Sequence, residues 1–410
     1  MANQDFDLLF LGGLFPKELE KEVIVNSKGN IQSAANNLQW SLLDGFNKNL
    51  KSKITVFNLM FIGSFPLKYK KFHIKSSIFK ITQDFSGFNI GFFNLIGLKN
   101  VSKKINLYRH LDMWLRSSTQ NKAVYIYSVQ NIWLDSIKRI KKRFPEVHIS
   151  LMIPDLPSYT MMGKSNLSLH GLYRFYLARK TQQTITNVDS LVFLTKKMND
   201  FFRNKKPFIV LEGIAPTIKK RQESSKLNNT KAILYSGALT KNYGIVRLIS
   251  AFSKIDNDSY ELWICGSGEE SHEVEKLSQI DSRVKYFGVL EHQEVLRLQR
   301  QATVLVNPRL NLGEYTKYSF PSKILEYMAI GKPIVMYKLD GVPDEYDEFL
   351  IYPDSEDIIS LQSTLVRVCE LSEDDRDTIG TKAQEFVFNQ KNSEVQVKKI
   401  IELISRCIEN

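Results

Sequence analysis

Gly313-Glu-Tyr-Thr-Lys-Tyr-Ser-Phe-Pro-Ser-Lys-Ile-Leu-Glu-Tyr-Met-Ala-Ile-Gly-Lys-Pro333 reads as a polar loop feeding a short helix between two apolar runs. The runs are Thr303-Val-Leu-Val-Asn307 before it and Pro333-Ile-Val-Met-Tyr337 after it, short and β-branched as buried parallel strands are. Pro321 suits the first helical turn, where its missing N–H costs nothing, and Gly331 suits the C-terminal stop. The spacing therefore predicts a helix from about Pro321 to Ile330. The unpaired amides at its start, the Ser322 hydroxyl and the Lys323 ammonium would converge on one anion site. Glu326, at i+4 from Ser322 on the same face, would accept hydrogen bonds from a diol such as a ribose while the helix start holds phosphate. The segment also suits an ordinary αβ turn in which Ser322 caps the helix and Lys323 is solvated.

Working outward, the same alternation of strand and helix runs through both halves. Phe6 to Leu11, Lys53 to Asn58, Ala123 to Tyr127, His148 to Ile153 and Ser190 to Leu194 read as strands. Helical spacing recurs over Ile31 to Phe46, Ile132 to Arg143 and Leu169 to Thr184. The second half gives strands at Ala232 to Tyr235, Tyr260 to Ile264, Val284 to Phe287 and Leu350 to Tyr352, with helices from Ile245, about Glu269 and Glu291. Strands separated by helices imply parallel sheets covered on both faces. A chain of 410 residues exceeds the roughly 250–300 that one core serves. The expected division is a domain over 1–215, a linker over 216–230 marked by the polar run Lys219 to Lys226, a domain over 231–390, and a C-terminal helix over 391–410 packing back on the first domain.

Charge divides at the same place. Residues 1–220 carry 33 Lys and Arg against 14 Asp and Glu, net +19, whereas residues 221–410 carry 23 against 30, net −7. Clusters such as Lys68 to Lys71 and Lys138 to Arg143 would meet anionic lipid headgroups, each close basic residue contributing about 1 kcal/mol. A solubilising face is the plainer alternative. Nucleic acid is disfavoured as a partner, since no helix-turn-helix, zinc finger or aromatic RNA-binding strand accompanies the basic residues. Cys265, Cys369 and Cys407 are widely separated and carry no metal spacing, which fits a reducing cytoplasmic compartment. The N-terminus lacks the pattern of a signal peptide and no run approaches the ~18 apolar residues of a membrane span. None of the six histidines forms a metal-spaced pair, and no Asp-x-Asp cluster stands at a strand end; Asp256-Asn-Asp258 precedes a strand.

In open parallel sheets ligands bind beyond the C-terminal strand ends. Three strand-end loops of the second half suit this: Ser236 to Gly244, Cys265 to Glu269 and the segment quoted first. Together with Tyr286-Phe-Gly-Val289 and Gly331-Lys-Pro333 they resemble the donor domain of GT-B glycosyltransferases, in particular the retaining family-4 type and its bacterial capsule and exopolysaccharide branch. The resemblance covers nearly all of residues 230–360. In the first half it is thinner, resting on Leu11-Gly-Gly13, Ala34-Ala-Asn36 and Pro154-Asp-Leu-Pro157.

This resemblance implies two Rossmann-like doubly wound α/β domains facing across a cleft. The second domain would hold a nucleotide-sugar donor, with a UDP-sugar favoured, and the first an acceptor, a polyprenyl-diphosphate-linked saccharide. Glu326 matches the second glutamate of the family's paired motif and would bind ribose. Ser322 and Lys323 would hold the diphosphate, Gly237, Lys241, Gly266, Gly268 and Phe320 would belong to the donor and nucleotide site, and Val289 would read the base. Gly12 and Gly13 would let a loop approach the diphosphate or acceptor. The sugar-facing glutamate falls at Tyr318, leaving Glu314 as its substitute, and the family's arginine and lysine after the first donor-domain strand fall at Ala238 and Tyr243. Asp155 takes the place of a His-Asp pair whose histidine is Pro154. Glu314, Tyr318 and Asp155 are thus the candidate catalytic residues. No cofactor or metal is implied, the helix start and its side chains stabilising the leaving diphosphate. The basic domain implies a cytoplasmic protein peripheral on the inner face of the membrane. An inactive binding module on the same fold and a nucleotide-sugar 2-epimerase are the alternative readings.

Overall fold

The computed structural model describes residues 6–29, 31–117, 121–156, 169–218 and 230–409. The polar run Lys219 to Lys226 lies outside them. Two units form, one of residues 1–214 with Ser393–Asn410 and one of Ala215–Asn392.

In the first unit the elements run β1 (Asp7–Gly12), α1 (Glu20–Asn26), α2 (Ser33–Asn49), β2 (Ile54–Asn58), β3 (His73–Ile74), β4 (Ser77–Lys80), β5 (Ser86–Asn89), β6 (Phe92–Phe93), α3 (Leu98–Leu115), β7 (Lys122–Tyr127), α4 (Asn131–Arg143), β8 (His148–Ile153), α5 (Leu169–Ile185), β9 (Ser190–Phe193), α6 (Lys196–Phe202) and β10 (Phe208–Val210). The main sheet has the order β10-β9-β8-β7-β1-β2-β5-β4, parallel except for the β4–β5 pair. Strand order reverses between β1 and β7, so the loops leaving these strands flank the position where such sheets take ligands. The central strands are buried throughout, which is why they read as unbroken apolar runs.

The second unit holds β11 (Lys231–Ser236), α7 (Ile245–Phe252), β12 (Tyr260–Cys265), α8 (Ser271–Ile280), β13 (Val284–Tyr286), α9 (His292–Gln301), β14 (Val304–Asn307), α10 (Lys323–Ile330), β15 (Ile334–Met336), α11 (Ile358–Glu370) and α12 (Glu373–Gln390). Its sheet, β13-β12-β11-β14-β15, is wholly parallel and reverses between β11 and β14. Apolar residues of α9, α10 and α12 cover one face and those of α7 and α11 the other. Leu350 to Tyr352 contributes a single bridge, Ile351 to Val335, rather than a strand.

The last helix, α13 (Ser393–Glu409), packs on α2 of the first unit. Val397, Ile400, Ile401 and Ile404 are fully buried with Leu42, Leu43 and Phe46, each such side chain contributing about 1.5–3 kcal/mol. Gly45 makes this possible, because a Cβ there would stand 2.2 Å from the Ser393 carbonyl.

Candidate functional site

Four segments of the second unit meet at the C-terminal edge of its sheet: the ends of β11 and β12, α9, and the start of α10. The α10 helix begins at Lys323, two residues later than the spacing predicts, because Pro321 only closes a tight turn through its carbonyl to the Ile324 amide (2.9 Å). Ser322 occupies the cap position in helical geometry, but its hydroxyl makes no capping bond. That hydroxyl is exposed and therefore presented outward beside the helix start, where the Ile324 amide is already engaged by Pro321.

One turn in, Glu326 has its side chain 15% exposed. Its Oε1 accepts from Gln299 Nε2 (2.7 Å) and Lys323 Nζ (3.1 Å), while Oε2 has no hydrogen bond among the described residues. One oxygen is thus fixed and the other is available to a hydroxyl pair. Burial alone would raise this carboxyl; Lys323, Gln299 and His292 more than offset it and hold it below the ordinary value. Lys323 is thus paired with Glu326 while its side chain remains partly exposed.

A buried network anchors this carboxylate to the sheet. Gln299 also donates to Ser236 Oγ (3.1 Å), and the Tyr327 hydroxyl meets the Ser236 amide (3.0 Å) and Oγ (3.1 Å). Gln299, on the buried stripe of α9, and Arg309, two residues past β14, are not reached by the motif reading. Arg309 is 4% exposed, donates to Ser319 Oγ (2.9 Å), and lies over the rings of Tyr315 (4.9 Å) and Tyr243 (5.5 Å). Its Nε is buried and without a partner among the described residues, an unspent donor at the point where strand order reverses. The sequence signals were a polar residue at a core-facing helical position and a cation immediately beyond a strand.

Gly266, at φ +133°, approaches the preceding loop so closely that a Cβ would fall 1.8 Å from the Gly237 carbonyl. A Cβ on Gly268 would likewise meet the Leu239 carbonyl at 2.3 Å. Hydrogen bonds from Gly237 N to Cys265 O (3.0 Å) and Gly266 N to Gly288 O (2.7 Å) join the three loops. The glycine demand is met here by loop-on-loop packing, which sets the floor of the site. Lys241 is largely exposed, its ammonium 4.0 Å from Glu270, and Val289 stands 75% exposed after β13. Phe320 is in the core against Tyr346 (ring centroids 5.3 Å), so its visible part is to hold the loop before α10. Glu314 and Tyr318 share a single 3-10 turn; Glu314 is exposed and Tyr318 half-buried.

The other candidates belong to the first unit. Gly13 follows β1 with its Cβ position filled by the Phe61 ring (1.9 Å) and its amide donating to Gln39 Oε1 (2.7 Å); Gly12 abuts Phe10 and Gln39. Asp155 follows β8 and is exposed, while desolvation by the protein around it raises its carboxyl to about 6. Ser128, just past β7, adopts φ +77° with its hydroxyl buried and unpaired among the described residues. Among the described residues no group of three or more His, Cys, Asp or Glu side chains is placed to hold a metal ion, and no described helix is long and apolar enough to cross a membrane.

Two Rossmann-like parallel-sheet units constitute the GT-B fold, and solved GT-B enzymes superpose on the chain. They include a sucrose-phosphate synthase from Thermosynechococcus elongatus (14% identity, 98% of each chain covered, TM-score 0.62). The catalytic domain of starch synthase IV from Arabidopsis thaliana, solved with ADP and acarbose, gives 10% identity, 99% of each chain and a TM-score of 0.64. The lipopolysaccharide outer core galactosyltransferase WaaB in its apo form gives 15% identity, 97% of this chain, 99% of that one and a TM-score of 0.60. Identities this low carry the fold alone. More specifically, residues 230–369 match the family model described as glycosyl transferases group 1, a span that includes the site just described. No curated protein matches the chain in sequence.

Proposed function

We propose that the protein is a retaining glycosyltransferase that moves a sugar from a nucleotide-sugar donor, with UDP favoured as the nucleotide, to a lipid-linked saccharide acceptor in surface polysaccharide synthesis. The observation that carries the reading is Glu326: a half-buried, charged carboxylate with one oxygen fixed and one open, a turn inside the helix start, within the segment that matches group 1 glycosyl transferases. Ribose hydroxyls donate to Oε2. Diphosphate oxygens accept from the α10 amides, the Ser322 hydroxyl and the Lys323 ammonium, which the phosphate draws from Glu326.

Transfer breaks the bond between the anomeric carbon and the diphosphate, whose electron pair leaves with the phosphate oxygen. These donors stabilise the charge as it develops. The acceptor oxygen bonds to the same face of the anomeric carbon and its proton passes to the departing phosphate. Glu314 and Tyr318 are assigned to the sugar and Asp155 to an acceptor hydroxyl, and no cofactor is required.

The protein is assigned to the cytoplasm, peripheral on the inner leaflet. In support, the basic first unit exposes apolar side chains on two helices: Leu98, Val101 and Ile105 on α3, and Leu172, Phe175 and Tyr176 on α5. Apolar residues among cations suit an anionic bilayer surface. Calorimetry with UDP, GDP and ADP, followed by product analysis with lipid-diphosphate saccharides, tests the reading. Nucleotide binding without transfer to any such acceptor identifies an inactive binding module, the outcome that the departure at Tyr318 favours.

A further inference from the structure

The first unit has an open cavity of about 580 Å³ beyond the C-terminal ends of its parallel strands. It is lined from the turn after α1, the loop after β2, the start of α3 and the loop after β7, the end of the sheet where ligands bind. Lys28, Lys68, Lys99 and Lys103 face it, and among the described residues no carboxylate does. Three of them meet neutral oxygens: Lys28 donates to the Pro66 carbonyl (2.9 Å), Lys99 to the Ile62 carbonyl (2.6 Å) and Ser64 Oγ (3.4 Å), and Lys103 to the Met60 carbonyl (3.4 Å). Several lysines elsewhere in the unit find acids, as Lys104 and Lys180 do with Asp135 and Lys141 with Asp189, although Lys70 and Lys122 are held by carbonyls.

Lys103 is 5% exposed, over the ring of Phe92 (4.3 Å). Burial, and after it the charge of Lys99, forces its ammonium well below the ordinary range; burial alone takes Lys99 down to about 8. Two cations that disfavour one another at the back of an open cavity are relieved by an anion placed between them. The rim is amphipathic: Ile96 and Tyr173 line the cavity and are 60% and 51% exposed.

We propose that this lysine cavity binds the phosphate or diphosphate of the acceptor. The inference rests on the reading of the protein as a transferase whose first unit holds the acceptor, and it deepens that reading by assigning the acceptor's anionic group. The exposed apolar rim favours an isoprenoid-linked diphosphate over a free sugar phosphate.

Calorimetry on the full chain, with UDP saturating the second unit, would compare inorganic pyrophosphate, farnesyl diphosphate and farnesol. The expected result is pyrophosphate binding that weakens at least about tenfold in the exposed double variant Lys28→Gln/Lys68→Gln and in Lys103→Met, while UDP affinity is unchanged. Tighter binding of farnesyl diphosphate than of pyrophosphate, reduced by Ile96→Ser, identifies a lipid acceptor; equal affinities identify a water-soluble phosphorylated one. Pyrophosphate that does not bind, or whose affinity falls only in Lys323→Ala, overturns the proposal. Should UDP fail to bind the unaltered protein, the donor reading fails, and the response of pyrophosphate to Lys28→Gln/Lys68→Gln still decides the cavity. The double variant alters exposed side chains, so a misfolded Lys103→Met leaves the test intact.

Discussion

Replacing Glu326 by alanine has two separable consequences. In the free protein it removes the acceptor of the Gln299 bond, a charge-assisted contact worth about 1.5–3 kcal/mol. The Lys323 ion pair is half-solvated, with the lysine 36% exposed, and adds no more than about 1 kcal/mol. Gln299 keeps its bond to Ser236, which limits the loss, so the second unit should be destabilised by about 2–3 kcal/mol. At roughly 2–4 °C per kcal/mol, its melting transition should fall by about 4–12 °C. In the complex, ribose loses Oε2, and UDP should bind roughly 10- to 150-fold more weakly by calorimetry at 25 °C. A folded variant whose melting temperature falls as expected but whose UDP affinity stays within about threefold would refute the ribose assignment. It would leave Glu326 as a structural acceptor only.

Other outcomes are equally open to measurement. Because the Glu326 carboxyl is held below its ordinary 4.5, its contribution is fully present above that pH and lost as pH falls through the depressed folded value; acid titration should therefore destabilise the unaltered protein more than Glu326→Ala below pH 4.5. Tyr327→Phe strands the Ser236 amide and should cost about 1–3 kcal/mol in urea unfolding, and an unchanged midpoint would remove Tyr327 as the anchor. Gly266→Ala must move the Gly237 loop and should abolish UDP binding, whereas retained affinity would show that the loop contact does not shape the site. In flotation assays the protein should partition to anionic over neutral vesicles, with Leu172→Asp/Phe175→Asp reducing recovery without lowering the melting temperature; equal recovery from both vesicle types would exclude the basic surface as a membrane contact.

Fold class was legible because parallel strands buried on both faces leave unbroken apolar runs, as at His148–Ile153 and Lys231–Ser236, and these need no tertiary information. Other elements were hidden for identifiable reasons. The β4 strand, Ser77–Lys80, carries Ile78 outward at 76% exposure and only Phe79 inward, too short an alternation to detect. The α3 helix mixes buried Leu107, Leu111 and Leu115 with exposed Leu98, Val101 and Ile105, which blurs the helical stripe by which such segments are found.

At the candidate site, the helix start and Glu326 could be read from local spacing. Gln299 could not be assigned, since its partners lie 27 and 63 residues away in sequence and the contact exists only once α9 is seated beside α10. Arg309 was missed for the same reason: two tyrosines from different loops frame it. The lysine cavity likewise brings Lys28 and Lys68, from two separate loops, beside Lys99 and Lys103 of α3, which sequence spacing does not join.

The most direct test of glycosyl transfer is to incubate the purified protein with UDP-, GDP- and ADP-sugars, with and without a lipid-diphosphate saccharide, and to follow nucleoside diphosphate release and the product's anomeric configuration by NMR. Acceptor-dependent release, lost in Glu326→Ala and giving a product with the donor's configuration, is the predicted result. Folded protein that releases no nucleotide from any of these donors with any lipid-diphosphate saccharide, or that yields the opposite anomer, would contradict the account.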